Sequence, residues 1–386
     1  MAKGFIGKLA SCEHFASFIT FLFLQTTAYG YTWLSIASLS AIDTGIHHPN
    51  HLDLFGSSES SLVDDNNLHT GICTQVPGLV NEQRLVCERA PETLPVIGEG
   101  ARTGILECKR QFKNERWNCT LEPNAISDIE KVLERGSRET AFVYAVTSAG
   151  VVHAVTRKCS EGNLTECTCD LSRQGGVTAD GWHWGGCSDN VAYGVELGRK
   201  FVDAADTEEA GQSGKDKVRS NMNIHNNEVG RLAVATQMTT ACRCHGVSGS
   251  CTVKSCWKTM PSFLQVGDYL KTRYQQSVEV LNRPKKKLRR RDKRMRKVSI
   301  PDDDLVHVDS SPNYCRSDPE KGILGTVGRE CNRTSDASDS CDLLCCGRGY
   351  NTMEVRQVDR CDCKFFWCCE VRCKTCETVR DMHTCK

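Results

Sequence analysis

An excess charge of either sign is missing from this sequence: 49 Lys and Arg face 48 Asp and Glu over 386 residues, a formal net charge of +1. No global field steers the chain toward nucleic acid or a membrane surface, so any electrostatic role has to be local. Catalytic machinery is missing as well. His153, His183 and His245 have no evident nucleophile-base partner, and the chain reads as a non-enzyme needing neither cofactor nor metal. Helical periodicity is absent beyond Cys315, which leaves that part of the chain without a helical core.

Cysteine, by contrast, is abundant. Twenty-five cysteines exceed what a reducing cytosol tolerates as free thiols unless they bind metal or do redox chemistry, which makes secretion the better expectation. The N-terminus agrees: Lys3 and Lys8 form a basic region, Phe15 to Leu24 an apolar one, and Ala28-Tyr29-Gly30 a small-x-small cleavage site. Residues 1–30 are therefore expected as a signal peptide. A signal anchor competes, because no charge occurs between Phe15 and Ile42, but Gln25, Thr26 and Thr27 interrupt the stretch. Cleavage removes Cys12 from the 25 and leaves 24, an even number that suits full oxidation.

The sequence divides by composition. Residues 31–72 are expected as a flexible arm, polar throughout 43–70, where no period could bury a face. From 73 to 282 helical spacing dominates, as in Phe142, Ala145, Ala149 and Val152, or Phe263, Val266, Leu270 and Tyr274; such stripes are core packing rather than chemistry. Residues 283–310 are expected as a basic linker, with ten Lys or Arg in the thirteen positions from Lys285 to Lys297 and an acidic run at Asp302 to Asp304. No core is expected in it. In 311–386, twelve cysteines fall within the 71 residues from Cys315 to Cys385, so shape there must come from cross-links and short hairpins. The expected fold class is α+β and disulfide-rich: a helical N-terminal domain with stapled β-hairpins, plus a small cystine scaffold of short β-hairpins.

The most informative segment is 242–256, Cys242-Arg-Cys244-His-Gly-Val-Ser248-Gly-Ser-Cys251-Thr-Val-Lys-Ser-Cys256. Its cysteines can nest, Cys244 with Cys251 inside Cys242 with Cys256, closing a hairpin with His245, Gly246, Val247, Ser248 and Gly249 at its tip. The flanking glycines allow a tight turn that presents the Ser248 hydroxyl. A hydrolase nucleophile is one reading, but the second glycine comes one place early for a G-x-S-x-G elbow. Zinc on Cys242, Cys244, His245 and Cys251 is another, disfavoured by ligands on adjacent residues and by an oxidising compartment. A plain Gly/Ser turn accounts for the geometry and leaves the serine idle.

A second constellation runs from Cys361 to Cys376 and places Lys364, Phe365, Phe366 and Trp367 between cysteines. Three aromatics cannot all be buried in so thin a loop. They either pack back on the domain or stand exposed as contact anchors, and three in a row favour exposure.

Residue for residue, Cys242 to Cys251 resembles the C-x-C-H-G-x-S-G-S-C signature of the Wnt family of secreted, lipid-modified signalling glycoproteins. Trp182-His-Trp-Gly-Gly-Cys-Ser-Asp189, Arg116-Trp-Asn-Cys119 and Cys331-Asn-Arg-Thr334 are similar to the family too, and the likeness runs from about Cys73 to the C-terminus. The resemblance implies a monounsaturated acyl chain of about sixteen carbons on Ser248. It implies that the Ser248 hairpin and the finger 363–373 grip opposite sides of a Frizzled cysteine-rich domain. It further implies an LDL-receptor-related co-receptor, acylation by the membrane acyltransferase Porcupine, and the carrier Wntless. The family pattern pairs Cys108 with Cys119, Cys159 with Cys167, Cys169 with Cys187, Cys242 with Cys256, Cys244 with Cys251, Cys315 with Cys346, Cys331 with Cys341, Cys345 with Cys385, Cys361 with Cys376 and Cys363 with Cys373. It also makes a vicinal bridge of Cys368 and Cys369, and leaves Cys73 and Cys87 to pair with each other.

Heparan sulfate proteoglycans are the expected polyanion for Lys285 to Lys297; a solvated charge run is the plain alternative, and a signal peptide argues against a nuclear address or nucleic acid. Arg291-Asp-Lys-Arg294 also has the Arg-x-Lys-Arg form read by secretory convertases. Sequons mark Asn163 and Asn332 as glycosylation acceptors, with Asn118 a poorer one because Cys119 follows it. The resulting expectation is a ligand of the extracellular space and matrix that signals in development, through β-catenin or independently of it. The rival is a non-signalling matrix or inhibitor protein built on the same frame.

Overall fold

The structure, a computed structural model, describes residues 33–38, 73, 76, 78–119, 131–210, 216–282 and 287–386. The expected signal peptide, most of the expected arm, and Lys285 and Lys286 lie outside the described residues.

Helix packing organises the N-terminal half. α1 (Asn81–Arg89) and α2 (Thr93–Phe112) lead to α3 (Arg138–Ser160), followed by α4 (Val191–Val202), α5 (Ala204–Ala210) and α6 (Asp216–Ala235), and later by α7 (Phe263–Gln275). Ser137 caps α3 by accepting a hydrogen bond from the Thr140 amide, and Ser262 with Gln265 forms a reciprocal capping box on α7. α3 is buried on nearly every side, as expected of a central helix, with Phe142, Ala145, Ala149 and Val152 all in the core. Its crossing with α2 brings backbones into contact: a Cβ on Gly150 would lie 2.1 Å from the Gly100 carbonyl oxygen, so only glycine fits there.

One buried ion pair fastens α6. The Arg231 guanidinium, 1% exposed, donates to both carboxylate oxygens of Asp203 at 3.0 and 2.6 Å, and to Glu228 at 2.8 Å. Asn227 donates to the same Asp203 carboxylate at 2.9 Å. Burial holds that carboxyl above its ordinary range, against the pull of Arg231 and Asn227.

Two small sheets lie beside the helices. β1 (His183–Trp184) pairs in parallel with β3 (Lys254–Thr259), which is antiparallel to β2 (Thr239–Cys244). β4 (Val278–Glu279) pairs in parallel with β5 (Val306–His307). In the C-terminal part, β6 (Glu330–Cys331) and a short helix α8 (Cys341–Leu344) precede the antiparallel strands β7 (Tyr350–Phe366) and β8 (Glu370–Cys385). The core there is largely sulfur: Cys331, Cys341, Cys345 and Cys385 are buried with Leu344. Arg329 ties this part to the helices by donating to the carbonyls of Lys113, Glu115 and Arg116.

The structure departs from the sequence expectations in four places. Trp33 to Ser38, expected within the flexible arm, forms a 3₁₀ turn whose Trp33, Leu34, Ile36 and Ala37 are in the helical core. Arg102 donates to the Ala37 carbonyl, and Trp33 meets Phe201 edge-on. Burial of so apolar a hexapeptide outweighs its position next to a polar stretch. The basic linker is not structureless either. Leu288 and Ile300 pack on Val218, Met222, Val280, Val306 and Val308, a small core made from isolated apolar residues at the edges of the charge run. The C-terminal hairpin is long, not short, because fifteen directly paired positions and two cystines support strands that bury little. Finally, Cys368 and Cys369 are free and exposed rather than bridged. Both stand in the left-handed region, at φ 77° and 82°, in the exposed turn between β7 and β8, and a bridge between neighbours would have to close a small ring across their shared planar peptide.

Candidate functional site

Ser248 stands at the apex of the β2–β3 hairpin. Cys242 pairs directly opposite Cys256 in the ladder and is bonded to it, and Cys244 is bonded to Cys251 one step nearer the tip. Beyond these staples the chain closes on itself: the His245 amide donates to the Val253 carbonyl at 2.7 Å, and Gly246 to Ser250 at 2.8 Å. A Cβ on Gly246 would meet the Ser250 side chain at 2.0 Å, so the closure needs glycine there. Ser248 itself is in the left-handed region at φ 57°, as is Gly249 at φ 75°. For a serine this costs on the order of 1 kcal/mol, a strain that a doubly cross-linked frame can impose. Val247 beside it is 90% exposed, and His245, Ser248 and Gly249 are exposed as well. The apex offers one hydroxyl and one apolar side chain to a partner.

A splint holds the hairpin. The Trp182–Asp189 segment lies along its edge, with Lys254 over the Trp182 ring at 4.9 Å. Asp189 accepts from the Met260 amide at 2.8 Å and from the Ser160 hydroxyl of α3 at 2.6 Å, and the Ser188 hydroxyl accepts from the Lys258 amide. Sequence reasoning marks this segment only as family-like. Its Trp, Ser and Asp within eight residues are the signal that it carries polar ties to something else.

The second constellation lies at the tip of the β7–β8 hairpin. Cys361–Cys376 and Cys363–Cys373 clamp the two strands, and Lys364, Phe365 and Phe366 pair with Arg372, Val371 and Glu370. Trp367 is 94% exposed and Phe365 69%, whereas Phe366 lies under the Arg372 guanidinium at 5.1 Å. Arg372 is itself held by Glu370 at 2.8 Å. Aromatics that are already oriented lose little rotamer freedom on contact.

The structure joins the remaining expected pairs Cys73–Cys87, Cys108–Cys119, Cys159–Cys167, Cys169–Cys187, Cys315–Cys346, Cys331–Cys341 and Cys345–Cys385. The zinc alternative loses its thiolates, since Cys242, Cys244 and Cys251 are all in cystines. The sulfurs of Cys331, Cys345 and Cys385 cluster but are likewise oxidised. The elbow reading fails on topology, because Ser248 turns between two antiparallel strands and not between a strand and a helix. His153 packs on Phe263 with Nε2 3.2 Å from the Pro261 carbonyl, and burial lowers its pKa.

Comparison with known proteins settles what carries these two loops. A family model described as the wnt family matches residues 75–386. The chain belongs to the Wnt family. Within that family the sequence is similar to the subtype numbered sixteen: "Protein Wnt-16" of Bos taurus is 54% identical over 319 residues, covering 81% of this chain and 87% of that protein. Its Mus musculus counterpart is 52% identical over 321 residues with the same coverage. Among solved structures, human WLS in complex with WNT8A aligns at a TM-score of 0.56 and 36% identity, over 76% of this chain and 94% of that one. Wnt proteins are secreted signalling ligands and not enzymes, and they need no cofactor. No helix among the described residues is long and apolar enough to cross a membrane.

Proposed function

We propose that this Wnt chain activates Frizzled receptors by pinching their cysteine-rich domain between an acylated Ser248 and the finger 363–373. The observation that carries this reading is a strained, exposed serine at the apex of a doubly stapled hairpin, its hydroxyl offered beside the exposed Val247. A monounsaturated chain of about sixteen carbons there gains about 0.8 kcal/mol per methylene on entering an apolar groove. Alone it anchors a protein to bilayers only reversibly, so a carrier or a receptor competes for it. Porcupine would attach the chain and Wntless would carry it; the likeness to the WNT8A chain of a WLS complex supports the carrier. An LDL-receptor-related co-receptor, and heparan sulfate along Lys285 to Lys297, complete the extracellular partners. Mass spectrometry of the Ser248 peptide from secreted protein tests the reading: an unmodified serine in active material refutes it.

For the finger, Trp367→Ala is expected to weaken binding to an isolated Frizzled cysteine-rich domain by about 2 kcal/mol, roughly thirtyfold, as for an exposed aromatic hot spot. Surface plasmon resonance against the unaltered ligand measures it. An unchanged affinity removes the second grip.

Three sequons are candidates for glycosylation. Asn332 is exposed, its side-chain oxygen accepting from the Thr334 amide and hydroxyl at 3.0 Å each, and Asn163 is exposed in a turn. Asn118 is half-buried beside the bridged Cys119, which makes it the weakest acceptor.

A further inference from the structure

The basic run has a tip that lies outside the two proposed receptor contacts. Before it, the chain is pinned: Val280 bridges Arg290, the Leu281 amide donates to Arg289 and the Arg291 amide to the Glu279 carbonyl, and the Arg291 guanidinium pairs with Glu279. After it, Ile300 packs on the small core of Val218, Met222 and Val306. Between these anchors every residue from Asp292 to Ser299 is exposed. The bonds inside are local ones: Arg294 to the Asp292 carboxylate, Met295 to the Asp292 carbonyl, Val298 to the Met295 carbonyl, and the Arg296 side chain to Arg291. A protease needs its substrate extended in the cleft, and what resists that here is these exposed local bonds and the two ties of Arg291 to Glu279, of which the ion pair is itself at the surface.

Arg291-Asp292-Lys293-Arg294 occupies this tip with basic residues at the first, third and fourth places, the pattern read by subtilisin-like convertases of the secretory pathway. We propose that such a convertase cuts the chain after Arg294, giving a two-chain ligand. Water supplies a hydroxyl to the Arg294 carbonyl carbon and a hydrogen to the Met295 nitrogen as the peptide bond between them breaks. A new carboxylate and a new amino terminus remain.

Two features decide the outcome of the cut. Among the described residues no cystine spans it, since every bridge lies between Cys73 and Cys256 or between Cys315 and Cys385. Ser248 and Trp367 would then sit on separate chains. Non-covalent contacts nevertheless cross the cut. Asn226 exchanges hydrogen bonds with the Val306 backbone at 3.0 and 2.9 Å, Gly136 accepts from the Val308 and Asp309 amides, and Arg329 donates to the three carbonyls after α2. The product is one particle of two chains. The covalent tether between its two contact loops has been replaced by a separable interface.

The proposal uses the secreted reading only to say where enzyme and chain meet, and the test separates the two. Full-length protein is collected from the medium and, separately, from cell lysate, and each is treated with a purified calcium-dependent convertase of this class. Reducing gels should show two fragments, the smaller beginning at Met295 by N-terminal sequencing, which co-elute on native gel filtration. Arg294→Ala should secrete at the same level and stay whole. Protein that remains one chain after the purified enzyme, or that is cut at another bond, overturns the site. Protein confined to the lysate but cut at Arg294 sinks only the secreted reading.

Discussion

Ser248→Ala protein is expected to lose receptor activation altogether and to accumulate inside the cell. The magnitude comes from the acyl chain: about sixteen carbons at about 0.8 kcal/mol each give on the order of 10 kcal/mol of gross transfer free energy. If ordering costs consume half of that, the remainder still corresponds to more than three powers of ten in affinity. Reporter activation by conditioned medium and the ratio of secreted to cellular protein measure both effects. The fold should be untouched, because the serine makes no structural contact that alanine removes: its side chain is exposed and both hairpin cystines remain. A mutant that signals normally from the medium would refute the acyl mechanism.

The largest effect on stability is expected at Arg231. Replacing it with methionine leaves the Asp203 carboxylate buried without its bidentate partner, a loss of about 3–5 kcal/mol for breaking such a pair. The sign of the pH dependence is set by burial. Asp203 is already held above its ordinary range, so its contribution to stability is full below the usual carboxylate range and falls as pH rises through the raised value. Removing Arg231 takes away an opposing pull and enlarges that slope. The variant should therefore be closer to the unaltered protein in acid than at neutral pH, by urea unfolding at both. Arg231→Met with Asp203→Leu should recover much of the loss, since a packed apolar pair replaces the ions. An equal deficit at both pH values would mean that the buried carboxylate is not its source.

The two contact loops could be found from sequence because cysteines announce them: C-x-C spacing before Ser248 and around Lys364 to Trp367 marks a cross-linked frame whatever its secondary structure. The helical half was legible for the usual reason, apolar residues three and four apart, as at Val266 and Leu270. What could not be read was set by distant partners. Trp33 to Ala37 continue an uncharged stretch, and it is distant partners, among them Phe201 and the α2 glycine Gly98 that admits Ile36, that give them a core. Leu288 stands between charges and Ile300 just beyond the charge run, and their burial depends on Val218 and Met222, far earlier in the chain. The β7–β8 ladder lacks the alternation that identifies strands, because Val358, Val371 and Val379 are exposed along it. Splinting by Trp182 to Asp189 was hidden because a hydrogen-bonded edge leaves no periodic trace.

The sulfur-lined interior of the C-terminal part gives the molecule two different vulnerabilities. The helical half buries hydrocarbon, so heat and chaotropes govern its persistence through the heat capacity of exposed apolar surface. Around Cys331, Cys341, Cys345 and Cys385 there is little hydrocarbon to expose, and the governing variable is electron supply. Molecules that stray into a thiol-rich compartment would give up the presentation of Trp367, and the stapled apex of Ser248 with it, while the hydrocarbon interior of their helices persists.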